Sequence, residues 1–408
     1  MICLNDNQSY IVDQAYRFYR YSSKQVFQFA GGPGTGKSVV MNAIAERLVR
    51  DNIVNYNEIL PMAYTGQAAI VMRTKGFPYA RSIHSSIYTV DYVPKVNDFG
   101  DVIMDTKYNA PLLTLKMIPK DLSGIKLMMI DEGGMVPKRM KHDIERYGIK
   151  IIVCGDLGQL PPVADEPAYL VDGKIYYLTK IMRQAEGSGI VYIANRCLQG
   201  LPIHTGLYGN VLVIDHSDLT NEMIAASNVV ICGKNATRDK INNIVRHDIL
   251  GIDIDLPTYG ERVICRKNNW SMEIDGISLA NGLNGTCVSM PRIAEFDGET
   301  FSMDFLPDLT NKPFNNLKCD YKYFTAPASL KNNMKQFSSK YDLGEKFDLA
   351  YALTTHLSQG AEYPCGIYIE EHLKDPSISR NLNNTGITRF RDAAIYVKPE
   401  ERRIWALW

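Results

Sequence analysis

Apolar positions fall along this chain in two rhythms. Short continuous apolar runs at residues 26–30 (VFQFA), 59–64, 125–130 (IKLMMI) and 149–154 have the length of buried strands in a parallel sheet. Between them, apolar residues recur every three to four positions. Ile11, Ala15 and Phe18 mark a helix within residues 1–25, and Val39, Val40, Ile44 and Leu48 line one face of residues 38–50. Strand–helix alternation of this kind predicts an α/β fold. Two stretches break the rhythm. Residues 87–93 (IYTVDYV) alternate like a half-exposed strand, followed by a turn at residues 97–100 and a return near 102–104. This reads as a β-hairpin with Phe99 near its tip, or as an irregular loop. Residues 199–210, with Gly200, Pro202, Gly206 and Gly209, read as a linker, after which a second α/β pattern begins near Val211. That pattern is interrupted at 286–345 by scattered Gly, Pro and aromatic residues, which predict a small β-rich insertion. It resumes at Phe347.

At 408 residues the chain has room for two or three domains. Lys+Arg and Asp+Glu both number 45, so net charge argues neither for nor against a nucleic-acid partner, and motifs must decide. Eight scattered cysteines with no C-x-x-C pair speak against a zinc site or disulfide framework and suit a reducing cytoplasm. No run approaches the ~20 apolar residues of a membrane span.

The first chemistry lies at residues 31–38, Gly-Gly-Pro-Gly-Thr-Gly-Lys-Ser, between the first strand and its helix. Glycines there let backbone N–H groups wrap phosphates, and the helix N-terminus favours negative charge. Gly32, Gly34, Thr35 and Gly36 would form the cradle. Lys37 would reach the β/γ-phosphates, and Ser38 would ligate Mg²⁺. The buried run at 125–130 ends in Asp131-Glu132, two carboxylates at a strand C-terminus, where α/β ligand sites form. Asp131 would hold Mg²⁺ through water, and Glu132 would polarise the attacking water. Gln159, after the next strand, is placed to sense the γ-phosphate, and Gln8, upstream, can grip an adenine edge. The chain reads as an ATP-hydrolysing enzyme.

Taken together, the motifs resemble superfamily 1 helicases of subfamily B, the RecD-like and Dda-like group, along nearly the whole chain and in the family's order. Residues 31–38 match the first motif, and 63–69 (AYTGQAA) with 82–84 (SIH) resemble its strand-contacting segments. Asp131-Glu132 matches the second and residues 155–163 (GDLGQLPPV) the third, while Arg183 sits at the fourth. Residues 260–263, Asn269 and Asn281-Gly282 fit a stretch typical of RecD relatives. Residues 354–362 (TTHLSQGAE) resemble the fifth motif and 386–389 (GITR) the sixth. Four positions depart from the pattern. Gly133-Gly134 stand where a small residue and serine are usual, Leu357 where lysine is usual, and Asn384 where tyrosine opens the sixth motif.

The resemblance implies two RecA-like P-loop domains with parallel sheets, at 1–205 and 206–408, facing each other across ATP and Mg²⁺. A hairpin insertion at 85–124 would carry the strand-separating pin with Phe99, and 286–345 would be an SH3-like insertion. Arg389 and Arg183 would add cations to the phosphates, with Gly360 and Glu362 also at the nucleotide. Thr65, His84, Thr355, His356 and Ser358 would hold single-stranded DNA. The implied activity is 5′→3′ DNA unwinding at single-strand/duplex junctions, by a monomer that works with replication or recombination proteins. The compact length resembles phage-encoded Dda-like enzymes, which would act in the host cytoplasm. A single-strand-stimulated translocase that does not unwind fits the same residues. A P-loop kinase is disfavoured by the motifs after residue 350, and RNA as the strand stays open.

Overall fold

The computed structural model describes residues 4–97, 99–105, 110–162, 165–180, 187–290, 298–327, 330–331, 344–371 and 375–399. The continuous apolar runs form a six-stranded, all-parallel sheet in the order Ile175–Leu178, Val26–Gly31, Lys150–Gly155, Leu127–Asp131, Ile59–Ala63, Arg81–Ser82. Its central strands are buried on both faces, which is why they read as runs rather than alternations. One face packs against the helices Asp6–Tyr21 and Lys37–Arg50 through Ile11, Ala15, Val40, Ile44 and Leu48. The first helix is fixed at its start by a reciprocal capping box between Asn5 and Gln8.

A second six-stranded sheet runs Gly206–Tyr208, Val211–Ile214, Phe390–Val397, Tyr363–Ile369, Val230–Cys232, Ala352–Thr354, parallel except for its first pair. The helix Gly189–Gln199, inside the span 1–205 expected for the first domain, instead lays Ile190, Ile193, Ala194 and Cys197 into the core of this second sheet. Gly189 abuts Tyr208 so closely that a Cβ would lie 1.6 Å from its carbonyl oxygen. The helix therefore packs with the second sheet rather than the first. Composition breaks point downstream of it because the Gly- and Pro-rich residues lie after the helix.

The β-rich part is a five-stranded antiparallel sheet, Phe314–Asp320, Thr300–Pro307, Asn284–Cys287, Arg262–Cys265, Phe347–Leu349. It draws strands from both sides of the expected 286–345 segment, because Arg262–Cys265 is indistinguishable in sequence from another α/β strand. Ile70, on the helix Gly66–Thr74 of the first sheet, is buried in this sheet's core, so the two are packed together. The hairpin is present, and its return strand is Leu113–Pro119, paired in register with Tyr88–Pro94. The expected return at 102–104 contributes only a bridge from Val102 to Val96 and a short strand, Met104–Asp105, nearer the tip. No helix among the described residues is long and apolar enough to cross a membrane.

Candidate nucleotide cleft and strand-contacting residues

The strand Val26–Gly31 runs into a loop that turns on Gly34 and Gly36, at φ 73° and 84°, and enters the helix Lys37–Arg50. Both glycines hold the left-handed conformation that other residues adopt only at a cost. Thr35 folds inward, and its hydroxyl donates to Gly32 O at 2.8 Å. Lys37 Nζ donates to Gly31 O at 2.8 Å, and Ser38 lies beside it on the first helical turn. Gln8 is fully buried against this loop. Its Nε2 donates to Thr35 O at 3.0 Å, and its Oε1 accepts from Asn5 N at 3.1 Å. Gln8, read from the sequence as an adenine contact, is thus committed at both ends of its amide to the helix cap and the phosphate loop.

Asp131 closes the strand Leu127–Asp131, with Oδ1 accepting from Glu132 N at 2.8 Å and from Cys154 Sγ at 3.0 Å. Glu132 itself sits at φ 52°, ψ 44°. A non-glycine residue in this region costs on the order of 1–3 kcal/mol and persists only where its surroundings enforce it. Here the conformation turns the Glu132 carboxylate toward Gln159, whose Nε2 lies 3.4 Å from Oε1. Burial, with Asp131 adding repulsion, raises the Glu132 carboxyl above the ordinary range, while Lys37 and Arg389 pull the other way. Desolvation works against the charge on Lys37, but Asp156, Glu132 and Asp131 outweigh it and its pKa is raised.

Asp156 is a residue that sequence reasoning misses. It is buried, Oδ1 accepts from Gly158 N at 2.8 Å, and Oδ2 has no hydrogen-bond partner. It is the strongest of the acids acting on Lys37. A signal is present in the chain, since Asp156 stands just after the strand Lys150–Gly155, much as Asp131 ends its own strand.

The second sheet supplies the opposite wall. Arg389 is buried between its helix and strand, with Nε donating to Thr385 O at 3.0 Å and Nη1 to Ala361 O at 3.4 Å. The phosphate loop, Asp131, Glu132, Asp156, Gln159 and Arg389 line one cavity of about 640 Å³ between the two sheets. Glu362 sits at its rim, ion-paired with Lys75 of the first sheet's layer. Gly360, at φ 79°, lies against Thr65 and Ala68, where a Cβ would come within 2.8 Å of the Thr65 hydroxyl. Arg183 lies outside the described residues.

The strand-contacting candidates divide. His356 is exposed. Thr355 and Ser358 are fully buried, with hydroxyls donating to Cys232 O and Thr355 O, so they shape the turn rather than face solvent. Hydroxyls in a Thr-Thr-His-x-Ser run look alike in sequence, and only packing separates those turned inward. Thr65 Oγ1 caps the helix Gly66–Thr74 by accepting from Ala68 N at 3.1 Å. His84 is half-buried, and Phe99 is 90% exposed at the hairpin tip.

With this geometry in view, a family profile described as an AAA domain matches residues 4–201. The ATP-dependent RecD2 DNA helicase of Deinococcus radiodurans is 24% identical over 420 residues, covering 95% of this chain and 48% of that protein. A Pif1 structure described as the basis for unwinding forked double-stranded DNA by two coordinating helicases aligns over 97% of this chain and 92% of its own, at TM-score 0.55 and 18% identity. A Bacteroides Pif1 bound to single-stranded DNA aligns over the same shares, at TM-score 0.53 and 18% identity. The solved structures share the fold of this chain, and its motif order resembles that of superfamily 1B helicases. The chain spans less than half the length of the RecD2 relative.

The departures from the superfamily 1B pattern have local explanations. At Gly133 a Cβ would meet Val153 Cγ1 at 2.1 Å, so the tight backbone after Glu132 admits no side chain. Leu357 packs its half-buried side chain against the second sheet's core, where a lysine would bury its charge. Asn384 reaches across the cleft, and its Nδ2 donates to Gly158 O at 2.8 Å. An amide thus makes a direct inter-sheet bond at the position where tyrosine is usual.

Proposed function

We propose that this chain is an ATP-dependent DNA helicase that translocates 5′→3′ on single-stranded DNA and separates duplex ahead of it. The observation that carries this reading is the shared cleft, in which Lys37 and Glu132 from one sheet face Arg389 from the other. In the proposed scheme the two ATPase units divide ahead of Gly189. The loop from Gly32 to Gly36 and the helix start hold phosphates, and Lys37 neutralises the transferring group. Glu132 orients the attacking water, Gln159 reports the γ-phosphate to it, and Arg389 completes the charge compensation only when the cleft is shut. Ser38 and Asp131 offer hard oxygen donors, with Asp156 Oδ2 unpartnered beside them. This donor set suits Mg²⁺, which takes one or two carboxylates and completes its shell with water and phosphate. The ion would supply charge neutralisation at the phosphates.

ATP hydrolysis measured with and without single-stranded DNA, beside unwinding of duplexes with a 5′ or a 3′ tail, tests the proposal. Strong stimulation with unwinding only from the 5′ tail is expected. Hydrolysis indifferent to DNA would overturn it. Phe99 separates unwinding from bare translocation. Projecting from a turn in which Asn97 Oδ1 accepts from the N–H groups of Phe99 and Asp101, both at 2.9 Å, it presents an aromatic face at a fixed tip. Phe99→Ala is expected to cripple unwinding while sparing DNA-stimulated hydrolysis in the same preparation. Unwinding at the wild-type rate would remove Phe99 from the pin.

A further inference from the structure

Successive side chains along the strands of the first sheet point to opposite faces. Leu127, Met129, Ile152, Cys154 and Phe29 share the face that packs on the helices Asp6–Tyr21 and Lys37–Arg50. Met128, Ile130, Ile151 and Val153 share the other. The parallel register sets Met129 beside Ile152, Ile130 beside Val153 and Phe29 beside Cys154. One step further along that register brings Cys154 next to Asp131, on the face where the helix of the phosphate loop begins. Cys154 is wholly buried there, and its Sγ donates to Asp131 Oδ1 at 3.0 Å. The run 151–154 is otherwise Ile, Ile and Val, the residues that suit a central strand best. A thiol adds what they lack, a weak donor on a small apolar side chain.

That bond gives Asp131 Oδ1 its second donor, after Glu132 N at 2.8 Å. Among the described residues none donates to Oδ2, and Asp131 lines the cleft of about 640 Å³. Asp156, two residues after Cys154, repeats the arrangement, with Oδ1 held by Gly158 N at 2.8 Å and Oδ2 unpartnered. Each acid has one oxygen tied to the protein and one left over. The final torsion of an aspartate is broad, so a carboxylate held by one backbone N–H alone keeps freedom to rotate. Two donors on the same oxygen remove most of it.

We propose that Cys154 is a positioning residue for the cation site of the nucleotide cleft. Its thiol and the Glu132 N–H hold Oδ1 together, which keeps Oδ2 presented to the cavity that Ser38 also lines. Partners behind a metal-binding side chain set its orientation, and losing one costs about 10–100-fold in metal affinity. A thiol is a weak donor, which places this bond at the lower end of that range. The inference rests on the ATP and Mg²⁺ part of the proposed function.

The test is equilibrium binding of a fluorescent, non-hydrolysable ATP analogue to the full chain, with Mg²⁺ and with a chelator in its place. Mn²⁺ binding in the presence of the analogue, followed by electron paramagnetic resonance, reads the metal directly. Cys154→Ala is expected to cut both the Mg²⁺-dependent gain in analogue affinity and the Mn²⁺ affinity by about tenfold, while affinity in chelator stays at the wild-type value. Cys154→Val, which fills the space and has no donor, should behave as Cys154→Ala does. Cys154→Ser, which keeps a donor, should retain most of the gain. An undiminished gain in the Ala and Val variants, equal losses with and without metal, or a Ser variant as weak as Ala would each overturn the positioning role and leave nucleotide binding standing. Wild-type binding that owes nothing to Mg²⁺ would overturn the cation site with it. No analogue binding by the unaltered protein would overturn the proposed function as well.

Discussion

Replacing Arg389 with alanine is expected to slow ATP hydrolysis by about 10³–10⁵-fold, the range associated with a cation delivered to the transferring phosphoryl group. The size of the effect comes from how the side chain is held. Its guanidinium is buried and tethered to Thr385 O and Ala361 O, so it enters the cleft already oriented and loses little freedom when the nucleotide is present. It stands on the sheet opposite the phosphate loop and lines the same cavity as Glu132. Nucleotide affinity should fall far less than turnover, because the charge it compensates develops only as the bond breaks. Single-turnover hydrolysis beside equilibrium binding of a fluorescent nucleotide separates the two. Equal losses in both would move Arg389 from the transition state to the ground state.

Lys37→Ala should abolish hydrolysis outright, with turnover below detection at any nucleotide concentration. Asp156, Glu132 and Asp131 all act on this ammonium, so its removal leaves three carboxylates without their shared cation. The phosphates would then meet carboxylate charge that no cation of the loop compensates. A phosphate-release assay at saturating ATP and Mg²⁺ reads the result. Residual turnover above about a hundredth of wild type, against the factor of ten per 1.36 kcal/mol of barrier, would show that Lys37 is not the principal phosphate cation.

The parts of this fold legible in sequence are those where a single local cause dominates. Continuous apolar runs became strands of the first, all-parallel sheet, and the glycine pattern at 31–36 became the tight loop, because burial on two faces and left-handed backbone leave direct marks on residue type. What escaped depends on partners distant in the chain. Leu113–Pro119 returns to pair with Tyr88–Pro94 across an intervening excursion, and no turn signal beside it announces the pairing. The inward turn of Thr355 and Ser358, and the capture of Gln8 by Thr35 O, are decisions of packing between segments. Trp270 reads as an ordinary aromatic in the chain, and only the structure sets it against His84.

The strip from Gly158 to Leu160 carries a mechanical consequence. Gly158 O accepts from Asn384, Leu160 N donates to Thr385 Oγ1 at 3.2 Å, and Leu160 O accepts from Gln359 Nε2 at 3.1 Å. Gln159 is therefore clamped on both sides to the far unit while its own side chain rests on Glu132. A crank pinned at two bearings cannot turn without moving its shaft. In the proposed scheme, opening the gap would have to break these bonds or carry Gln159 away from Glu132, so opening and disarming would be one displacement rather than two signals in succession. For the ATPase proposed above, hydrolysis with the two sheets apart would then be disfavoured by the same bonds that hold them together.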